Sequence, residues 1–236
     1  MRIFILILLG AGIFYSGIDK AAKQEPVTIA ANHFVDPYAM IREGQSLLRE
    51  GDLVVRLNQD PASQFIKNFN RQDKSYSHAG IVLFEKGYPY VYHIVNGEEN
   101  PDEKLRRDSL KWFCNPRKNT AYGIFRYKID QGEVKRLKEI IHSWYVKGVQ
   151  FDSAFNLATD DRMYCSEMIK KSLAGATHNR ISVETTKLTG TEADLFSVYL
   201  HLPVSYTSRL RIVSIDNLYK HSSCYSIKEY NYKPYP

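Results

Sequence analysis

The chain has 236 residues with 44% hydrophobic and 25% charged side chains, and 32 Lys and Arg against 26 Asp and Glu give a formal charge of +6. That ordinary globular balance excludes a disordered chain, a coiled-coil rod and a collagen-like repeat, and the length allows one domain or at most two, with a core that needs no disulfide staples. The basic excess suits an anionic cell-wall polymer or membrane surface, but no run of five Lys or Arg and no zinc-finger, RNP-type or basic-zipper pattern is present, so no nucleic acid partner is expected.

Met1-Arg2 precedes thirteen uncharged, mostly apolar residues, Ile3 to Tyr15. A positive charge before an apolar run of this length reads as a signal peptide or membrane anchor, short for a full span. A buried hydrophobic helix is the weaker alternative. Residues 1–24 are therefore set apart as a leader, and 25–236 are expected to form a single domain, exported or anchored at the cell envelope. The chain has three cysteines, Cys114, Cys165 and Cys224. In an exported protein an odd count leaves one free thiol. Cys114 and Cys224 could pair, and three reduced thiols are equally allowed.

After a polar connector over 25–36, Pro37 to Glu50 has apolar residues at helical spacing. Gly51-Asp52 breaks that helix, and Leu53 to Leu57 is a short strand. Ala62 to Phe69 is a short helix after Pro61. Ala79 to Phe84 is a buried strand, Glu85-Lys86-Gly87 turns the chain, and Tyr90 to Val95 returns. Residues 96–120 are polar, with a helical turn at Leu110 to Phe113. Tyr122 to Tyr127 is a third strand. Gly132 to Val146 is amphipathic, with Val134, Leu137, Ile140, Ile141 and Trp144 on one face. Tyr164 to Ala174 is a further helix, Ala193 to Leu200 another, and Arg209 to Ile215 alternates like a strand. The tail from Cys224 carries four tyrosines. Strands and helices in separate runs predict an α+β fold with an antiparallel sheet.

Cys165 stands where a loop enters a helix. There the free amides and the helix dipole are expected to lower its pKa and favour thiolate, the nucleophilic form. A small buried hydrophobe is the competing role for such a cysteine. A thiolate nucleophile needs a base, and seven histidines are available: His33, His78, His93, His142, His178, His201 and His221. His78 opens a strand, and His93 lies in the next. If Lys86 and Gly87 are the central turn residues, paired numbers sum to 173. His93 then faces Gly80, which would leave open space opposite it, and His78 is its diagonal neighbour on the same face. His93 can then orient His78 while the other His78 nitrogen meets Cys165, the nucleophile–base–orienter arrangement. His142 reads as a surface residue, and His33, His178, His201 and His221 have no partner pattern.

Four motifs in order carry a resemblance: Gly51-Asp52-Leu53-Val54-Val55-Arg56, then Tyr76-Ser77-His78-Ala79-Gly80-Ile81-Val82, then Phe151-Asp152, then Tyr164-Cys165-Ser166-Glu167. Over about residues 44–175 the chain resembles the circularly permuted branch of the NlpC-type papain-like cysteine hydrolases, the YiiX-like group. In ordinary members the Cys helix precedes the His strands; here the His comes first. The resemblance implies a papain-like antiparallel sheet packed against helices, with no cofactor and no metal. By position it implies Cys165 as nucleophile, His78 as general base and ion-pair partner, and His93 as the orienting third residue, where YiiX-like members often carry Glu. Tyr164 would line the cleft, Glu167 would satisfy amides at the helix start, and Asp152 matches a motif position with no assigned role. The oxyanion hole would include the Cys165 N–H, and its second donor has no sequence signal.

The chemistry implied is acyl transfer through a thioester, with a peptide or lipid acyl substrate. An amide of the peptidoglycan type is the leading expectation. A lipid acyl hydrolase or acyltransferase with the same Cys–His site, or a non-catalytic binding module, is the alternative. A lipid enzyme would have a hydrophobic groove beside Cys165.

Overall fold

The computed structural model describes residues 36–98 and 100–232. Residues 1–24, expected to form a leader, lie outside them. The described residues form one unit. Helix α1 (Pro37–Leu47) starts at a proline with a preset φ, and the Asp36 carboxylate accepts the Tyr38 N–H at 2.9 Å. Gly51, with φ +86°, turns the chain into strand β1 (Leu53–Asn58). Asp60 caps helix α2 (Pro61–Ile66) by accepting the Ser63 N–H at 2.8 Å, and a 3-10 turn carries the chain to Phe69.

Strands β2 (His78–Glu85) and β3 (Tyr88–His93) form a hairpin. Lys86 and Gly87, at φ +48° and +84°, are its two turn residues, the left-handed pair that matches strand twist. Ile81 faces Tyr92 and Glu85 faces Tyr88, the register expected from the sequence. Strand β4 (Arg106–Asp108), the helical turn α3 (Leu110–Phe113) and strand β5 (Asn119–Tyr127) follow. Helix α4 (Gln131–Lys147) begins at a reciprocal Asp130–Glu133 capping box and ends at Gly148 in the left-handed region. Short parallel strands β6 (Gln150–Phe151) and β7 (Arg162–Met163) lead into α5 (Cys165–Ala176). The remainder is β8 (Thr186–Lys187), α6 (Gly190–Leu200), α7 (Val204–Thr207), β9 (Arg211–Ile212), α8 (Ile215–Tyr219) and β10 (Cys224–Asn231).

The main sheet has the order β10-β5-β1-β2-β3-β4, with every pair antiparallel. Strand alternation divides its apolar residues between two cores. Leu53, Val55, Ile81, Leu83 and Phe125 pack with Leu137 and Ile141 of α4 and Met168, Ile169 and Leu173 of α5. Val54, Val82, Val91, Tyr122 and Ile124 pack with Ile41 of α1 and Leu110 and Phe113 of α3. Each fully buried aliphatic side chain contributes about 1.5–3 kcal/mol. The architecture is the expected α+β arrangement of an antiparallel sheet against helices.

Two expectations change, and other stretches gain elements or states that the sequence left open. The stretch expected as a strand over Arg209–Ile215 is paired only at Arg211–Ile212, and Ile215 already begins α8. Its alternation arises because Leu210 and Ile212 are buried while Arg209 and Arg211 face solvent around a turn. The polar stretch 96–120 contains an edge strand, β4, and the tyrosine-bearing tail forms the opposite edge, β10. Of the two cysteine states left open, the structure has the second: all three cysteines are free thiols. Finally, Gly80 does not face open space. A Cβ there would lie 2.5 Å from Val91 Cγ1, 2.9 Å from the Tyr92 carbonyl oxygen and 3.2 Å from His93 Cβ. The strands approach because Gly80 has no side chain.

Gly80→Ala will force that backbone apart. Overpacking of this kind costs about 1–3 kcal/mol, which for a domain of this size lowers Tm by roughly 2–4 °C per kcal/mol. Calorimetry is expected to show a loss of several degrees; an unchanged Tm would contradict the close approach.

Candidate active site

The site is built across the end of the sheet where β1 finishes and β2 begins. Arg56 on β1 faces His78 on β2. His78 and His93 are diagonal across the hairpin, and their rings meet at Nε2 of His78 and Nδ1 of His93, 2.9 Å apart. The same diagonal step repeats one strand further. Val91 faces Asp108 on β4, so Asp108 lies two positions along from His93, and its Oδ2 is 3.0 Å from His93 Nε2. Arg106 donates to the other Asp108 oxygen at 2.7 Å. Asp108 was not legible from sequence, because it sits among charged residues in a stretch without apolar alternation. Arg56 was also missed. It lies in the Gly-Asp motif strand but has no sequence signal for chemistry.

The protonation states follow from the surroundings. Burial would raise the Asp108 pKa, but the His93 hydrogen bond and the Arg106 guanidinium hold it below the usual carboxylate value. Asp108 is therefore an acceptor. Burial pushes His93 down to about 4 despite Asp108. His78 lies well below its ordinary value, through burial first and then the charge of Arg56 and the neighbouring His93. Both rings are neutral at pH 7. With Asp108 ionised, His93 donates from Nε2, so its Nδ1 accepts, and His78 must donate from Nε2. The unprotonated nitrogen of His78 is then Nδ1, the one that is free to act as a base.

Cys165 is the first residue of α5 and is 9% exposed. Its neighbours fix the helix start. The Val213 N–H donates to the Tyr164 hydroxyl at 2.9 Å, and the Ser166 hydroxyl donates to the Val213 carbonyl at 2.6 Å. Glu167 is fully buried, accepts the Tyr164 N–H at 3.3 Å and pairs with Lys171 at 2.9 Å. Burial outweighs that ammonium and lifts Glu167 to about 7. Asp152 accepts the Ala154 and Asn156 amides at 2.8 and 2.5 Å. It does not reach the cavity itself but shapes the loop that puts Phe151, Ser153 and Phe155 on the cavity wall.

One expectation for Cys165 is reversed. Burial raises its pKa, and the Ala79 and Ser166 amides and the Arg56 charge offset this only in part. In a site this buried, desolvation of the thiolate outweighs the helix start. Burial raises the thiol and lowers the imidazole, and both directions favour a neutral resting pair over an ion pair. The sulfur lies against the Ala79 amide, one residue from His78, and both side chains open on the same cavity.

That cavity has a volume of about 430 Å³. Its lining is mostly apolar, with Phe69, Phe155, Phe196, Leu200, Ile212 and Ile215, alongside the buried polar residues Asn70, Ser166 and Ser214. Arg56 enters this wall from below, donating to the Phe113 carbonyl at 2.6 Å with its guanidinium 4.6 Å from the Phe113 ring. The same ring lies 5.6 Å from His78 and 4.9 Å from His93. Replacing Arg56 with Met removes one of the two charges that keep His78 deprotonated in acid. His78 then protonates at higher pH. The acid limb of kcat/KM, which in the wild type lies below pH 6.5, is expected to move upward, so that the ratio of rates at pH 5 and 7.5 falls, by up to about tenfold for each pH unit once the limb lies above pH 5. The ratio separates this effect from any uniform loss of activity.

A nucleophile at a helix start, a strand-borne imidazole and an orienting partner across an antiparallel sheet define a papain-like cysteine hydrolase, here with the His strands ahead of the Cys helix. Residues 47–195 match the family described as permuted papain-like amidase enzyme, YaeF/YiiX, C92 family, and the chain belongs to that family. A solved structure described as metalloprotein YiiX from Escherichia coli O157:H7 is similar in fold, with a TM-score of 0.59, 18% identity, and coverage of 77% of this chain and 97% of that one. No curated protein matches the sequence. Among the described residues, no group of three or more His, Cys, Asp or Glu side chains is placed to hold a metal ion.

Proposed function

We propose that this protein is a cysteine amidase whose substrate carries an apolar acyl chain, cleaved through a thioester on Cys165. The observation that carries this reading is the apolar cavity beside the thiol. A chain of methylenes is what Phe155, Phe196, Leu200 and Ile212 would shield from water, at about 25 cal/mol for each Å² buried. The solvent-accessible lining residues Asn58, Asp60 and Asn96 suit the amine-bearing side of the scissile bond. Leu195 and Val198, on the same helix as Phe196, are 51% and 74% exposed. Neither lines the cavity, but exposed apolar residues on a helix that lines it suit a protein taking its substrate from lipid.

In the reaction, Cys165 Sγ attacks the carbonyl carbon as its proton passes to His78 Nδ1. The ring returns that proton to the leaving amine as the C–N bond breaks. Water, deprotonated by the same nitrogen, then releases the fatty acid. Intact-mass spectrometry with N-dodecanoyl and N-acetyl p-nitroanilides tests the reading. An acyl adduct on Cys165 from the dodecanoyl probe, at a rate at least tenfold above the acetyl probe, is expected. Equal rates, or turnover of muropeptides alone, would favour the wall-peptide amidase instead.

A further inference from the structure

Ser77 precedes β2 directly, and its N–H donates to the Arg56 carbonyl at 3.0 Å, so its backbone is held as firmly as the strand. Its side chain is enclosed, with the residue 5% exposed, yet its hydroxyl has no hydrogen-bond partner among the described residues. Buried hydroxyls without partners are uncommon, because the group loses water and gains nothing. Ser77 lines the same cavity as Cys165 and His78. Strand alternation puts it on the side of Ala79 rather than of His78, and Ala79 is the residue whose amide lies against the Cys165 sulfur. A hydroxyl donor without a partner among the described residues is thus held in the lining that also carries the nucleophile.

We propose that Ser77 is a catalytic residue, the second oxyanion donor beside the Cys165 N–H; this rests on the amidase reading above. When Sγ bonds to the carbonyl carbon, the π pair moves onto oxygen and the thiol proton goes to His78. The Ser77 O–H and the Cys165 N–H donate to that oxygen until the pair returns and the C–N bond breaks. The serine keeps its proton throughout. In the resting enzyme the donor waits unpaired, so it is preorganised for charge that exists only in the transition state.

The test is Ser77→Ala in the full chain, with N-dodecanoyl p-nitroanilide as substrate and dodecanal as a reversible analogue that adds to the thiol. Loss of one oxyanion donor is expected to lower kcat by about 10²-fold. KM should stay within about twofold, and dodecanal binding should weaken by a factor similar to the loss in kcat. The Tm should be unchanged or higher, because the removed hydroxyl bonds to nothing in the resting state. A kcat within threefold of wild type, a loss confined to KM, or a loss of activity matched by a lowered Tm would each overturn the role of Ser77. A wild-type enzyme that forms no acyl adduct on Cys165 would instead overturn the amidase reading, and the wild-type measurement is made first.

Discussion

Cys165→Ala will reduce amide hydrolysis to the solution background, and His78→Ala will lower kcat/KM by about 10³–10⁴-fold, the scale of losing a nucleophile or its base. The two variants act on one step, so the double variant should lose no more than the worse single one. The neutral resting pair makes a second, sharper expectation. Alkylation of Cys165 by iodoacetamide should be slow at pH 7 and rise only above the ordinary thiol value of about 8.5, because burial raises its pKa. Activity on a substrate should nevertheless persist below pH 6.5, since burial and Arg56 keep His78 unprotonated there. The thiol proton moves only as the sulfur attacks. Rapid labelling that holds level from pH 5 to 7 would show a preformed thiolate–imidazolium pair and would overturn this picture.

Much of the site could be read before any coordinates. The hairpin register followed from two turn residues, because Lys86-Gly87 admits only one pairing parity, and that parity brings His78 and His93 together. The Cys165 helix was legible from its apolar spacing and its loop entry. Legibility ended where an element exists only through its partner. Strand β4 is Arg106-Arg107-Asp108, three charged residues with no apolar face of their own; only pairing with β3 makes them a strand. Strand β10 has a shift in pairing between Ser226 and Lys228 that breaks its alternation. The Cys165 pKa was misjudged for a different reason. A sequence shows that a residue starts a helix, but burial depends on what packs over that start, here the strand β2 and the 211–215 segment.

Asp108→Asn should lower kcat/KM by about 10²-fold or more with little change in Tm, although Asp108 lies two residues' reach from the reacting atoms. Its effect is on which nitrogen of His78 carries the proton. As a carboxylate, Asp108 can only accept from His93 Nε2, and the chain of donors ends with the lone pair on His78 Nδ1. An asparagine can present its NH₂ instead. His93 then donates from Nδ1 to His78 Nε2, and the His78 proton moves to Nδ1, the position that must accept from Cys165. A wrong tautomer of this kind is a severe defect in other nucleophile–imidazole–carboxylate sites. His93→Ala breaks the same chain one link closer and should cost a similar factor, by freeing the His78 ring to turn. The two losses should not multiply in the double variant, since either one alone already leaves His78 unoriented. Nitrogen-15 NMR of the imidazoles gives the direct readout: wild type with the His78 proton on Nε2, and Asp108→Asn with a substantial fraction on Nδ1. An Asp108→Asn enzyme with full activity and an unchanged His78 tautomer would reduce Asp108 to an ion-pair partner of Arg106.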